Sequence, residues 1–170
     1  RLLPVTVGIS LAMILLIMAV SKGQIKQGWI PSGKWGIDDV SKQLTGWKQL
    51  GKKFAPFASK YEEAGTMKTG SPIITFRWFP AANFDYYVAK PIGKEVYALG
   101  EINRIHKYYW IDREMGSLKP GTDAWFIALS DDYQDPRNLY GQLFDTISLP
   151  DTITITRRSE TIRQAYLYRM

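Results

Sequence analysis

The sequence predicts an α/β protein: one N-terminal transmembrane helix, then a three-layer, Rossmann-like α/β domain of about five strands with a C-terminal antiparallel hairpin. Three observations predict it. Leu2 to Ser21 is an apolar run without a charged side chain. Pro72 to Gly100 reads as a strand, a helix and a second strand, and so short a unit favours a parallel pair with a right-handed crossover. Thr152 to Thr156 alternates Thr with Ile, and an apolar pattern resumes over Thr161 to Tyr168, which predicts a hairpin at the sheet edge.

In chain order, residues 1–22 are the expected transmembrane helix, since twenty residues at about 1.5 Å each match a hydrocarbon core of about 30 Å. A secretory signal competes, with Arg1 as a minimal basic region and Ala19-Val20-Ser21 as a small-residue cleavage site, but the apolar run exceeds the usual length of such signals. Residues 23–36 read as a membrane-exit linker with Pro31 to Gly36 as a turn, and Lys22 at the end of the helix forms an interfacial collar with Lys26 and Trp29 of the linker. The α/β domain is expected over 37–170. Ile37, Val40, Leu44, Trp47, Leu50 and Phe54 share one helical face, interrupted at Pro56, with another turn or two over Phe57 to Met67.

Ile73 to Phe76 is a short apolar strand suited to burial on both faces. Pro80 fits the first turn of a helix that carries Ala81, Phe84, Tyr87 and Val88 and stops at Pro91 and Gly93. Glu95 to Gly100 is the next strand, Ile102 to Ile111 is expected as a helix, and Asp123 to Ser130 as a third strand. Asp131 to Leu143 holds a loop and a short helix before the hairpin.

Composition narrows the chemistry. Without cysteine there is neither a disulfide framework nor thiolate catalysis. His106 is the sole histidine, so no His-paired nucleophile and no multi-His metal site can be built from this chain. A formal charge of +6 suits an anionic membrane surface or a phosphate-bearing ligand. The cations are scattered rather than massed, which argues against nucleic acid.

Three constellations stand out. Asp131, Asp132 and Asp135 follow the third strand, where carboxylates could hold a divalent cation; the plainer reading makes them turn formers and a cap for a helix starting at Pro136. Arg77, Asn83, Asp85, Tyr86 and Tyr87 lie at or beyond the end of the first strand, where α/β domains place ligands. Arg104, Lys107, Tyr108, Tyr109 and Trp110 mix cations with rings, suiting a sugar face or a lipid phosphate, or simply a helix packed on the sheet. From these, Arg77, Asn83, Tyr86, Arg104 and Tyr108 are the candidate substrate-binding residues. The turn after the first strand, WFPAAN, has no glycine and so no pyrophosphate cradle.

The stretch PIITFRWFPAANFDYYVAKPIGKEVYALGEINRIHKYYWID, placed after an uncharged span and an amphipathic helix, resembles the C-terminal end of GT-C type integral-membrane glycosyltransferases. The nearest likeness is to lipid A aminoarabinose transferases and bacterial protein-mannosyltransferase-like proteins. Ala81, Ala82, Phe84, Tyr86 and Tyr87, then Val96 to Leu99, then Tyr108 to Trp110 carry the resemblance. It implies a last membrane helix followed by a periplasmic α/β domain of an inner-membrane, multi-pass enzyme. That enzyme would move a sugar from a polyprenyl-phosphate donor to a lipid, glycan or protein acceptor. Its catalytic acidic residues would lie outside this chain, so no catalytic residue is assigned. The implied partners are membrane lipid, the polyprenyl-phosphate-linked sugar and the remaining transmembrane domain of the same protein, with no nucleic acid. No cofactor or metal is assigned to this chain, and a divalent cation stays open for the full-length enzyme. The alternative is a single-pass membrane-anchored binding or scaffold domain without catalytic activity.

Overall fold

The computed structural model describes residues 2–21, 43–157 and 159–170. The predicted exit linker over 23–36 and the start of the domain at 37–42 lie outside the described residues. The chain divides into two units, residues 1–45 with 157–160, and residues 46–156 with 161–170.

The first unit contains helix α1, Leu2–Ser21. Among the described residues no helix is long and apolar enough to cross a membrane. This corrects the predicted transmembrane helix over residues 1–22. Pro4, Thr6, Gly8 and Ser10 dilute the apolar character of its first half.

The second unit is a mixed α/β body. Its sheet joins β1 (Ile73–Thr75), β2 (Val96–Ala98), β3 (Trp125–Leu129), β4 (Asp151–Arg157) and β5 (Glu160–Arg169) in the order β2-β1-β3-β5-β4. β1 lies parallel to both neighbours, Ile73 facing Val96 on one side and Trp125 on the other. β5 runs antiparallel to β3, with Trp125 opposite Arg169 and Leu129 opposite Ala165. The sheet is therefore mixed where a Rossmann-like domain would be parallel. The final hairpin also places β5 inside the sheet, leaving β4 alone as that edge.

Alternation along the strands makes two cores. Ile73, Trp125, Ile127, Ala165 and Leu167 face one side, where Trp47, Leu50, Phe54, Phe84 and Val88 cover them. Ile74, Phe126, Ala128 and Tyr168 face the other, under Tyr140, Leu118, Phe144 and Ile147. Helices build the first layer; the second is mostly loop, with the single turn α6 (Pro136–Tyr140) among it.

Helix α2, Trp47–Glu63, buries Trp47, Leu50, Phe54 and Ala58 at helical spacing. It runs through Pro56 instead of ending there. The missing amide hydrogen bond is outweighed because Phe57 and Tyr61, beyond the proline, pack their rings on Trp125 at 5.9 and 5.7 Å. Gly51 sits where α2 meets the turn Asp85–Ala89: a Cβ there would lie 1.9 Å from the Tyr87 carbonyl oxygen. Helix α3, Trp78–Phe84, widens into that π-helical turn, then tightens through Lys90–Ile92 and stops at Gly93 with φ 67°. The helix predicted over 102–111 is two helices, α4 (Ile102–Ile105) and α5 (Tyr108–Met115), broken at His106, whose φ is 48°.

Both sheet edges are capped by side chains. On β2, the Ala98 amide donates to Asp112 Oδ2 from α5 at 3.1 Å. On β4, the Thr156 amide donates to Gln49 Oε1 at 2.8 Å and Lys53 Nζ donates to the Thr154 carbonyl at 2.6 Å, both from α2. Edge groups so occupied offer no template to another strand.

Candidate functional site

β1 and β3 are neighbours, yet the chain leaves β1 toward β2 and leaves β3 toward the hairpin. Their carboxyl ends therefore flank a topological switch, the place where open α/β sheets form a ligand crevice. Arg77 follows β1 by two residues and caps α3 from extended backbone; Asp131 and Asp132 follow β3. Arg77 Nη1 bonds Asp132 Oδ2 at 2.5 Å across this crevice, with both side chains partly exposed. Such a pair is open to competition: an anion reaching Arg77 replaces one carboxylate by another acceptor at little cost in stability.

The remaining carboxylates of the acidic set have arginine partners of their own. Asp131 Oδ2 accepts from Arg163 Nη2 at 2.8 Å, and the Arg163 guanidinium, buried and lying 4.9 Å over the Trp47 ring, loses some of its basicity to burial. Asp135 caps α6 by accepting from the Arg137 amide at 2.9 Å and bonds the Arg137 guanidinium at 3.3 Å, with Pro136 in the first helical position. Among the described residues no group of three or more acidic, histidine or cysteine side chains is placed to hold a metal ion.

Of the five residues the sequence nominates, only Arg77 lines this crevice. Asn83 turns back on its own helix, donating from Nδ2 to the Phe79 carbonyl at 2.9 Å. Tyr86 is 66% exposed and meets Tyr87 edge-on at 4.8 Å. Arg104 lies exposed on α4. Tyr108 belongs to the core, where burial, with Asp85 and Asp112 nearby, pushes its hydroxyl up to about 12. An aromatic surface does connect this region: Trp78 meets the His106 ring at 5.7 Å, and Arg113 lies over both Tyr109 and Trp110 at 5.7 and 5.9 Å.

Sequence reasoning missed several groups. Asp132 entered only as a metal ligand or a turn former, because recognising it as the partner of Arg77 requires knowing that β1 and β3 are adjacent. Asp112 carried no signal beyond its position in a helix; its carboxyl is pushed up to about 6 by burial, against the lowering effect of the Ala98 amide, and its Oδ1 has no hydrogen-bond partner among the described residues. On the loop-covered face a cavity of about 580 Å³ lies among Leu99, Leu118, Phe144 and Met170, within the range of about 300–1,000 Å³ usual for small-molecule sites. At its margin Tyr140 donates its hydroxyl to the Leu99 carbonyl at 2.7 Å and is held protonated by burial.

Compared with known protein families, curated proteins and solved structures, the chain matches none.

Proposed function

We propose that the α/β body is the accessory domain of a GT-C type membrane glycosyltransferase, helping to admit and position a polyprenyl-phosphate sugar or its acceptor at the extracytoplasmic side of the inner membrane. The observation that carries this reading is Arg77: a half-exposed guanidinium at the switch between β1 and β3, held by one exchangeable carboxylate. A phosphate presented there gains the charge-assisted donors that Asp132 now occupies.

Two features add support. The segment that carries the family resemblance, Pro72 to Asp112, is one continuous structural unit of β1, α3, β2, α4 and α5. Its outer surface exposes Trp78, Tyr86, Ile102 and Trp110 beside Arg104 and Lys107, a mixture suited to sugar faces and lipid headgroups. In this reading transfer itself uses carboxylates outside the chain, and the domain contributes binding. The experiment is transfer of labelled sugar from a polyprenyl-phosphate donor by the full-length protein across lipid, glycan and peptide acceptors. Transfer to any of them is the expected result, and silence across all of them contradicts the assignment.

A further inference from the structure

Beyond the Arg77 crevice, a cavity of about 270 Å³ opens among Ser130, Tyr133, Pro150, Tyr166 and Tyr168. Its volume falls just below the about 300 Å³ at which drug-sized pockets begin, room for one ring rather than a chain. The walls are aromatic and set at a corner: the Tyr133 and Tyr166 rings stand at 85° to each other with centroids 5.5 Å apart. Hydrogen bonds fix the corner. The Tyr133 and Tyr168 hydroxyls are 2.6 Å apart, and the Tyr166 hydroxyl donates to Gln164 Oε1 at 2.8 Å. Ser130 Oγ accepts from the Gln164 amide at 3.0 Å, which leaves its own proton free to donate into the cavity.

A pocket of tyrosines suits either a cation or a flat apolar face carrying hydroxyls. The cation is disfavoured here. The Arg137 guanidinium already lies 5.7 Å over the Tyr168 ring, and Asp131, Asp132 and Asp135 each spend their charge on an arginine. What remains is a neutral or anionic ligand with a C–H face for the exposed Tyr133 ring and hydroxyls for the Ser130, Tyr133 and Tyr168 rim. We propose that this pocket is a pyranose-binding subsite that seats one sugar ring of a glycan or glycolipid against Tyr133 and Tyr166. Which sugar-bearing substrate fills it rests on the glycosyltransferase reading; the fit of a pyranose to the corner rests on the pocket alone.

The test is saturation-transfer NMR on the full chain with methyl α-mannoside, methyl β-glucoside and tetramethylammonium as probes. At least one glycoside is expected to receive saturation at its ring C–H protons, about fivefold less with Tyr133→Ala and only about twofold less with Tyr133→Phe, which keeps the ring and loses the hydroxyl shared with Tyr168. Tyr133 is 44% exposed, so its truncation removes little packing, and Ser130→Ala provides a second, smaller change at the same rim. No saturation of either glycoside, an equal signal in Tyr133→Ala, or binding of tetramethylammonium in their place overturns the proposal. If glycosides bind but the full-length protein transfers no sugar, the subsite stands and the glycosyltransferase reading fails. If transfer occurs and no glycoside binds, the reverse holds.

Discussion

Gln49 and Thr156 share two hydrogen bonds: the Thr156 amide donates to Gln49 Oε1 at 2.8 Å, and Gln49 Nε2 donates to Thr156 Oγ1 at 3.2 Å. One side chain of α2 thus closes the free edge of β4 and fixes the helix to the strand. Gln49→Ala is expected to cost about 1–2 kcal/mol, the worth of two net hydrogen bonds. Because the uncovered amide becomes a template for another strand, the variant should also self-associate at high concentration. Urea melts and size-exclusion elution at rising concentration check both effects.

Asp112 gives the fold a pH dependence with a defined sign. Its carboxyl titrates near 6 in the folded chain against 3.8 ordinarily, so the protonated form is the one the fold favours. The stability this group contributes is full below its unfolded value and is lost as pH rises from about 4 through about 6. Asp112→Asn keeps an acceptor for the Ala98 amide and removes the buried charge. It should stabilise the fold at pH 8 by about 1 kcal/mol after solvent screening, seen as a higher melting temperature, and leave stability almost unchanged at pH 4. Melting curves across that range decide it; a variant less stable at pH 8 contradicts the account.

At Gly51 the argument is steric. A methyl group 1.9 Å from the Tyr87 carbonyl oxygen cannot be accommodated without parting α2 from the π-helical turn. Gly51→Ala should therefore destabilise by about 3 kcal/mol, despite the better helix propensity of alanine. Denaturant unfolding with an unchanged m-value would register it as a loss in midpoint alone.

Lys94 and Glu62 form a buried ion pair, with side chains 4% and 17% exposed, and Lys94 Nζ also donates to the Ser71 carbonyl at 3.3 Å. Lys94→Met leaves a carboxylate in a poorly solvated site and should cost about 3–5 kcal/mol. Adding Glu62→Leu should recover most of that loss. Thermal denaturation of the two single variants and the double variant gives the coupling directly.

How far the sequence carries the fold depends on how local the signal is. Ile73 to Thr75, Trp125 to Leu129 and the Thr–Ile alternation of 152–156 announce strands because burial on two faces or one leaves its mark in consecutive residues. Asp135 before Pro136 announces a capped helix for the same reason. Pro56 misleads, since its breaking effect is local while Phe57 and Tyr61 repay it through Trp125, a residue far along the chain. The run from Leu2 to Ser21 misleads by composition, because absence of charge is not continuous apolarity: Pro4, Thr6, Gly8 and Ser10 interrupt its first half. The site follows the same division. Arg77 is found by its place after a strand, whereas its partner Asp132 and the Tyr133–Tyr166 corner exist only once the order β1-β3-β5 is known.

The most direct measurement is turnover of the full-length protein with Arg77→Gln, using a labelled polyprenyl-phosphate sugar. The Arg77–Asp132 pair is exposed enough that its loss should cost under about 1 kcal/mol of stability. Removal of a charge-assisted contact to phosphate should still lower kcat/KM about tenfold. That drop with an unaltered melting temperature is the predicted result. Wild-type turnover in the variant would contradict the claim that this crevice receives the anionic substrate.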